Sequence, residues 1–154
     1  LVAAAFEQSS WSDDDLVHSM WAGLLASSCT EDGHDETNLI FMNLMKNLIR
    51  DEVILLKYFC ENAKVVRSQA GWIGIEGEIV LSAETLLDIL GYSDIHKIDL
   101  LLDHLRELGL LYQGSGFQFN LAEALIRPSA LALNLYVRGQ GYIGSALSYF
   151  GCDK

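Results

Sequence analysis

The densest set of residues able to do chemistry is Cys29, Glu31, Asp32, His34, Asp35 and Glu36, potential metal ligands crowded into one short stretch. A calcium loop of the EF-hand type needs alternating oxygen ligands, a central Gly and a closing Glu. A zinc site needs Cys or His in closely spaced pairs. Neither pattern is met, so the stretch reads as a solvated acidic loop, and no metal or cofactor is expected. A second set, His96, Asp99 and Asp103, falls along one face of a helix. Three such side chains could hold a metal, but a charged solvent face accounts for them equally well. Cys60, His18 and His104 supply a thiol and two imidazoles without a nucleophile–base spacing, and no GxSxG, HExxH or DFG-like signature occurs. Gly71, Gly74 and Gly77 lack the strand–turn–helix context and the Lys-Ser/Thr pair of a phosphate cradle, and read as turn chemistry. No catalytic residue is assigned, and the chain is read as a non-enzyme.

Those side chains must be placed by helices. Ser12 followed by Asp15 reads as a helix start, with Trp11 as a hydrophobic staple and Asp13, Asp14 and Asp15 at the positive end of the dipole. Leu16, Val17, Met20, Trp21, Leu24 and Leu25 then form one apolar stripe. Ala22, Gly23, Ala26 and Ser27 beside it are small enough to let another helix approach closely. Asn38 is expected to cap a second helix, apolar on most sides and so central to a bundle. Asp51 is expected to cap a third, with core positions Val53, Leu56, Tyr58, Phe59 and Ala63. Three short-looped helices predict a small bundle over residues 1–64.

Residues 65–154 follow a different grammar. After an irregular, Gly-interrupted stretch around Trp72, Glu78–Leu81 predicts a strand. Ser82 caps a helix that stops at Gly91. A longer helix runs from Ile95 to Leu108 with Ile98, Leu101, Leu102, Leu105 and Leu108 inward. Leu110–Tyr112 and Phe117–Phe119 around Gln113-Gly-Ser-Gly116 predict a hairpin. Residues 121–126 read as a helical turn, and 129–137 as a helix or strand. Tyr142, Ile143, Leu147, Tyr149 and Phe150 are too apolar for a free tail and are expected to dock. The expectation is thus a mostly α chain with a small β wing: a helical bundle followed by a winged helix-turn-helix-like subdomain with a docked C-terminal segment.

A DNA-reading winged helix puts the exposed face of its second helix into the major groove and holds phosphates with Lys, Arg and the wing. Here that face is His96, Asp99, Asp103 and Glu107, flanked by Leu100 and Arg106. Between Ser82 and Asn120 stand six acidic and two basic residues, and the wing has neither Lys nor Arg. Lys57, Lys64 and Arg67 are too sparse to compensate. Carboxylates facing phosphates cost affinity, so no direct DNA binding is expected. The face His96, Asp99, Asp103 and Glu107 is read as a protein-docking surface, with Trp72 as a further candidate contact, although an indole between glycines is more often buried.

Composition agrees. The formal net charge is −11, and the first forty-five residues hold eight carboxylates and no Lys or Arg. Such a surface repels nucleic acid and anionic lipid and favours a basic protein partner. A hydrophobic fraction of 51% with a single proline argues for a folded core in 154 residues. Cys29, Cys60 and Cys152 have no framework spacing, as expected of reduced thiols in a cytoplasmic protein. No apolar run is long enough to span a bilayer, so this segment is expected to make no membrane contact. The chain opens on Leu1, as a domain excised from a longer protein would. The apolar helix 38–49 and C-terminus make a homo-oligomer a further expectation.

Two stretches together are similar to a known family. One is Met20-Trp-Ala-Gly-Leu-Leu-Ala26 with its polar loop, followed by Phe41-Met-Asn-Leu-Met-Lys-Asn-Leu-Ile-Arg-Asp-Glu-Val-Ile-Leu-Leu-Lys-Tyr58. The other is Leu101-Leu-Asp-His-Leu-Arg-Glu-Leu-Gly-Leu-Leu111 with the segment after it. The order resembles the abortive-infection alpha family of bacterial proteins, over about residues 12–64 and more loosely 80–120. Arg50-Asp51 departs from the Ser/Thr-Pro helix start of that pattern, and the Gly-rich C-terminal tail has no clear counterpart. The resemblance implies phage defence and transfers no catalytic residue. Taken together with the acidic surface, the leading expectation is a regulatory or sensor domain acting through protein contacts, its partner basic or phage-encoded. The alternatives are a winged-helix transcription regulator or adaptor, and an enzyme or nuclease subunit built around the acidic residues.

Overall fold

The structure, a computed structural model, describes residues 15–29 and 36–154. The Ser12 cap, the Trp11 staple and most of the acidic loop after Cys29 lie outside the described residues. Among those described, seven helices and two small antiparallel sheets make a mostly α fold.

Helix α1 (Asp15–Ser27) buries Met20, Trp21, Gly23, Leu24 and Ser27, with Leu16, Val17 and Leu25 half-buried beside them. The expected stripe is therefore the packed face. Helix α2 (Asn38–Asn47) buries only the line Asn38, Phe41, Met42 and Met45. Leu39 and Ile40 face solvent, so α2 is a flank of the bundle, not its centre, because one helical period puts those two opposite the buried line. Asn38 does not cap its helix. Its buried amide reaches across to α1 and donates to Leu24 O, Ser27 Oγ and Ser28 Oγ at 3.1, 2.9 and 2.9 Å.

Helix α3 (Arg50–Asn62) starts one residue before the expected Asp51 cap. Ile49 occupies the capping position, and its N–H donates to Glu52 Oε2 at 3.0 Å, half of a capping box. Leu55, Leu56, Phe59 and Cys60 then fill the core. Strands β1 (Val65–Arg67) and β2 (Ile73–Ile75) form a hairpin pairing Val65 with Ile75 and Arg67 with Ile73. Its turn is closed by Ser68, whose Oγ accepts from Trp72 N–H at 3.0 Å.

Strand β3 (Ile79–Ser82) leads into α4 (Ala83–Leu90), capped by Ser82 and ended by Gly91 in the left-handed region at φ 67°. Helix α5 (Ile95–Glu107) is capped by the Asp94 carboxylate on His96 N–H. After it the expected hairpin is replaced by a different pairing. Strand β4 (Gly116–Phe117) pairs with β5 (Glu123–Ile126), which also pairs with β3, giving the order β3-β5-β4. Leu110–Tyr112 does not pair with 117–119. It lies against 127–129, with Tyr112 N–H donating to Arg127 O and Ser129 N–H to Leu110 O, each at 3.0 Å. Residues 123–126, read from sequence as part of a helical turn, are thus the central strand.

Helix α6 (Ala130–Gly139), capped by Ser129, is the true centre: it buries Ala132, Leu133, Leu135, Tyr136, Val137 and Gly139 and packs on α1, α2 and α3. The tail docks in part, with Tyr142 and Phe150 against the core and Ile143 left 54% exposed. Short α7 (Ala146–Tyr149) brings Tyr149 and Phe150 against Tyr136, the Phe150 ring stacked at 6.3 Å between centroids. One core runs through both halves, from Trp21 and Phe59 to Leu102 and Ile126. Among the described residues no helix is long and apolar enough to cross a membrane.

Candidate functional site

The repeat of α5 decides which of its side chains can meet another molecule. Ile98, Leu101, Leu102 and Leu105 are buried, so His96, Asp99, Asp103 and Glu107 are left exposed on the outward side. Leu100 joins them at 68% exposure, an apolar side chain in a charged line. The two basic residues of this part of the chain are occupied. Arg106 pairs with Asp103 and donates to Ser115 O at 2.7 Å, while Lys97 lies 5.8 Å from the Tyr92 ring centroid. Asp99 and Glu107 therefore carry the unopposed charge of the ridge.

Shallow grooves flank that ridge. Toward the β4–β5 turn, a space of about 570 Å³ is bounded by Ile95, His96 and Asp99 on one side and Phe117, Phe119 and Leu121 on the other. Toward the start of α3, a space of about 550 Å³ is bounded by Ile49, Leu100, Asp103, His104 and Glu107. The ridge and its grooves thus combine carboxylates with exposed apolar side chains. Trp72 is 75% exposed, contrary to the burial expected of it, because the Ser68 turn holds it at the tip of the β1–β2 hairpin. It lies on another element and lines neither groove.

Three polar pairs were not visible in the sequence. The Glu52 carboxylate, 1% exposed, holds His104 Nδ1 through one oxygen while capping Ile49 N–H with the other, and so ties α3 to α5. Asp51, freed of the expected cap, accepts the Tyr92 hydroxyl. Tyr136 O–H donates to Glu61 at 3.0 Å, joining α6 to α3. The capping-box position of Glu52 relative to Ile49 was the available signal, hidden because Ile49 is a poor cap type and Asp51 a good one. The remaining candidates stay apart. Cys60 Sγ faces Ala132 O at 3.7 Å, and His104 is engaged by Glu52. Among the described residues no three His, Cys, Asp or Glu side chains converge on a metal position.

The model of the abortive infection alpha family matches residues 1–131. The chain belongs to this family. Membership points to a role in abortive infection, the defence against phage. The matched range takes in α1 to α5, the β1–β2 hairpin and all three strands of the second sheet, ends at the start of α6, and so reaches further than the two stretches that carried the resemblance. No curated protein and no solved structure shows significant similarity to the chain.

Proposed function

We propose that this abortive infection alpha chain is a regulatory or sensor domain that acts through protein contacts made by the outward face of α5, without catalysis of its own. The observation that carries the reading is the ridge of Asp99, Asp103 and Glu107 flanked by exposed Leu100, Phe119 and Leu121. The order β3, α4, α5 and the β4–β5 pair supports a winged helix-turn-helix reading of this half, in which α5 takes the place of a recognition helix. A phosphate backbone meeting that ridge would face carboxylates where it needs cations. Of the sparse basic residues Lys57, Lys64 and Arg67, two are engaged, Lys57 with Glu61 and Lys64 with Glu76. A protein surface suits the mixture of charge and apolar area better. The half-buried Glu52–His104 pair supports a non-enzymatic reading, because its geometry accounts for it as a helix cap and an inter-helix tie.

The test is a phage panel on bacteria expressing the parent gene, wild type beside the double variant Asp99→Lys and Asp103→Lys. Wild type is expected to lower plaque counts with death of infected cells. The double variant, equally folded by circular dichroism, is expected to lose that protection. Full protection by the double variant overturns the assignment to α5. Retardation of duplex DNA by the wild type at physiological salt would favour a transcription regulator instead.

A further inference from the structure

We infer that the groove between α5 and the β4–β5 turn takes a short amphipathic segment of a partner protein, apolar on one side and Lys- or Arg-bearing on the other. The inference rests on the docking role of α5 proposed above and specifies what docks there.

Phe119 is the most exposed large apolar side chain described, with its full surface in water, and Leu121 two residues on is 59% exposed. The turn holds both in place: Gln118 N–H bonds Glu123 O and Leu121 N–H bonds Gln118 O, each at 3.1 Å. They stand opposite Ile95 and Asp99 across the groove. Aromatic side chains, Phe among them, are enriched at the cores of protein interfaces, and this one stands beside an apolar hollow. The polar half of the occupant follows from charge. Asp99, Asp103 and Glu107 succeed one another at i, i+4 and i+8 and rise about 12 Å along α5. Arg106 offsets only Asp103, so a partner supplying cations at the two ends of that line meets unopposed carboxylates. A second copy of this chain is a poor occupant, because each copy carries −11 and brings the same acidic ridge to the contact.

The probes are two fluorescein-labelled peptides of about fifteen residues, sharing one Leu/Phe helical face. One bears Lys on its polar face and the other Glu. Anisotropy with the full chain is expected to rise with the Lys peptide, to fall off with added salt, and to stay flat with the Glu peptide. Phe119→Ser and Asp99→Lys, each on a side chain with few neighbours, are each expected to weaken the Lys peptide by about tenfold or more with an unchanged melting temperature. Equal binding of both peptides, no binding of the Lys peptide, or undiminished binding by both variants would overturn the inference. A dimer of the wild type that Phe119→Ser dissolves in sedimentation would give the groove to a second copy and overturn it as well. None of these outcomes touches the phage assay, which judges α5 by itself. If the double variant loses protection while the Lys peptide fails to bind, the docking role stands and only the chemistry of the occupant is wrong.

Discussion

Gly23 of α1 and Gly139 of α6 meet backbone to backbone, with no side chain between them. A methyl group built on Gly23 would lie 1.7 Å from the Gly139 carbonyl oxygen and 2.9 Å from Gly141 N. Neither obstacle is a side chain that can swing aside. Gly23→Ala therefore has to push the two helices apart, against the gain of about 1 kcal/mol that Ala ordinarily brings to a helix. Overpacking of this kind costs about 1–3 kcal/mol or more, and urea denaturation should show a clear fall in midpoint. Gly139→Ala meets the flexible end of Met20, whose Sδ would lie at 2.5 Å, and should cost less. An unfolding midpoint of Gly23→Ala at or above wild type would refute the close approach.

That contact marks what the sequence made legible and what it did not. The run Ala22, Gly23, Ala26 and Ser27 announced a close helix neighbour, and the stripe Met20, Trp21 and Leu24 announced the face. It did not announce which helix would come, because residues 129–137 are rich in Leu and Ala without a polar rhythm that separates helix from strand. The same loss of rhythm made α2 look central. Its apolar residues on both sides are used unequally only once α1 and α6 have taken up one of them. The hairpin was misplaced for a local reason. Gly116 sits at φ 131°, and Ser115 turns inward to accept Arg127 N–H at 2.9 Å, so the Gly-rich turn hands the chain to a pairing further on. On α5 the outward face is legible, since a strong leucine face leaves His96, Asp99, Asp103 and Glu107 nowhere to go but outward, although Leu108, expected inward, caps the helix end half-buried. Phe119 is hidden from sequence because 117–119 reads as a paired strand, and Leu121 because 121–126 reads as a helical turn, whereas both stand in the β4–β5 turn.

The Glu52 side chain holds two helices at once, and its replacement should show it. Glu52→Ala frees the Ile49 N–H of its acceptor, strips His104 of its partner and leaves a void in a fully buried place. Loss of a cap and of a half-buried hydrogen-bonded pair together should cost about 3 kcal/mol. In a chain of this size that lowers Tm by roughly 6–12 °C. Glu52→Gln keeps an oxygen for the Ile49 N–H and should recover part of the loss. If Ala and Gln proved equally costly, the cap would not be what the carboxylate contributes.

The three thiols should separate by reactivity. Cys29 is exposed, and Cys152 is half-buried with its Sγ near Val65 O at 3.3 Å. Cys60 is buried, and that burial, with Glu61 beside it, raises its pKa well above the usual thiol range. Thiolate is the reactive form, so Ellman's reagent should find one fast thiol, one slower and one silent until denaturant is added. Cys29→Ser should remove the fast phase alone. Fast labelling of Cys60 in the folded protein would contradict the packing of α3 on α6.

Alkaline pH should loosen the fold through Tyr136. Burial first, and then the Tyr149 and Glu61 side chains, raise its hydroxyl above the ordinary tyrosine value. The folded state thus holds this proton more tightly than the unfolded chain does. The resulting stability is whole below the unfolded pKa of about 10 and declines as pH rises beyond it, because the unfolded phenol then ionises while the folded one resists. Cys60, shifted in the same direction, starts the decline somewhat earlier, from about 8.5. Urea midpoints taken from about pH 8 to about pH 11 should therefore fall, and Tyr136→Phe should flatten the upper part of that fall. The variant also gives up the 3.0 Å bond to Glu61, so at neutral pH it should begin from a stability about 1 kcal/mol lower. A wild-type midpoint that stayed level up to about pH 11 would mean that the tyrosine ionises as freely in the fold as out of it, and that the docked tail does not enclose it.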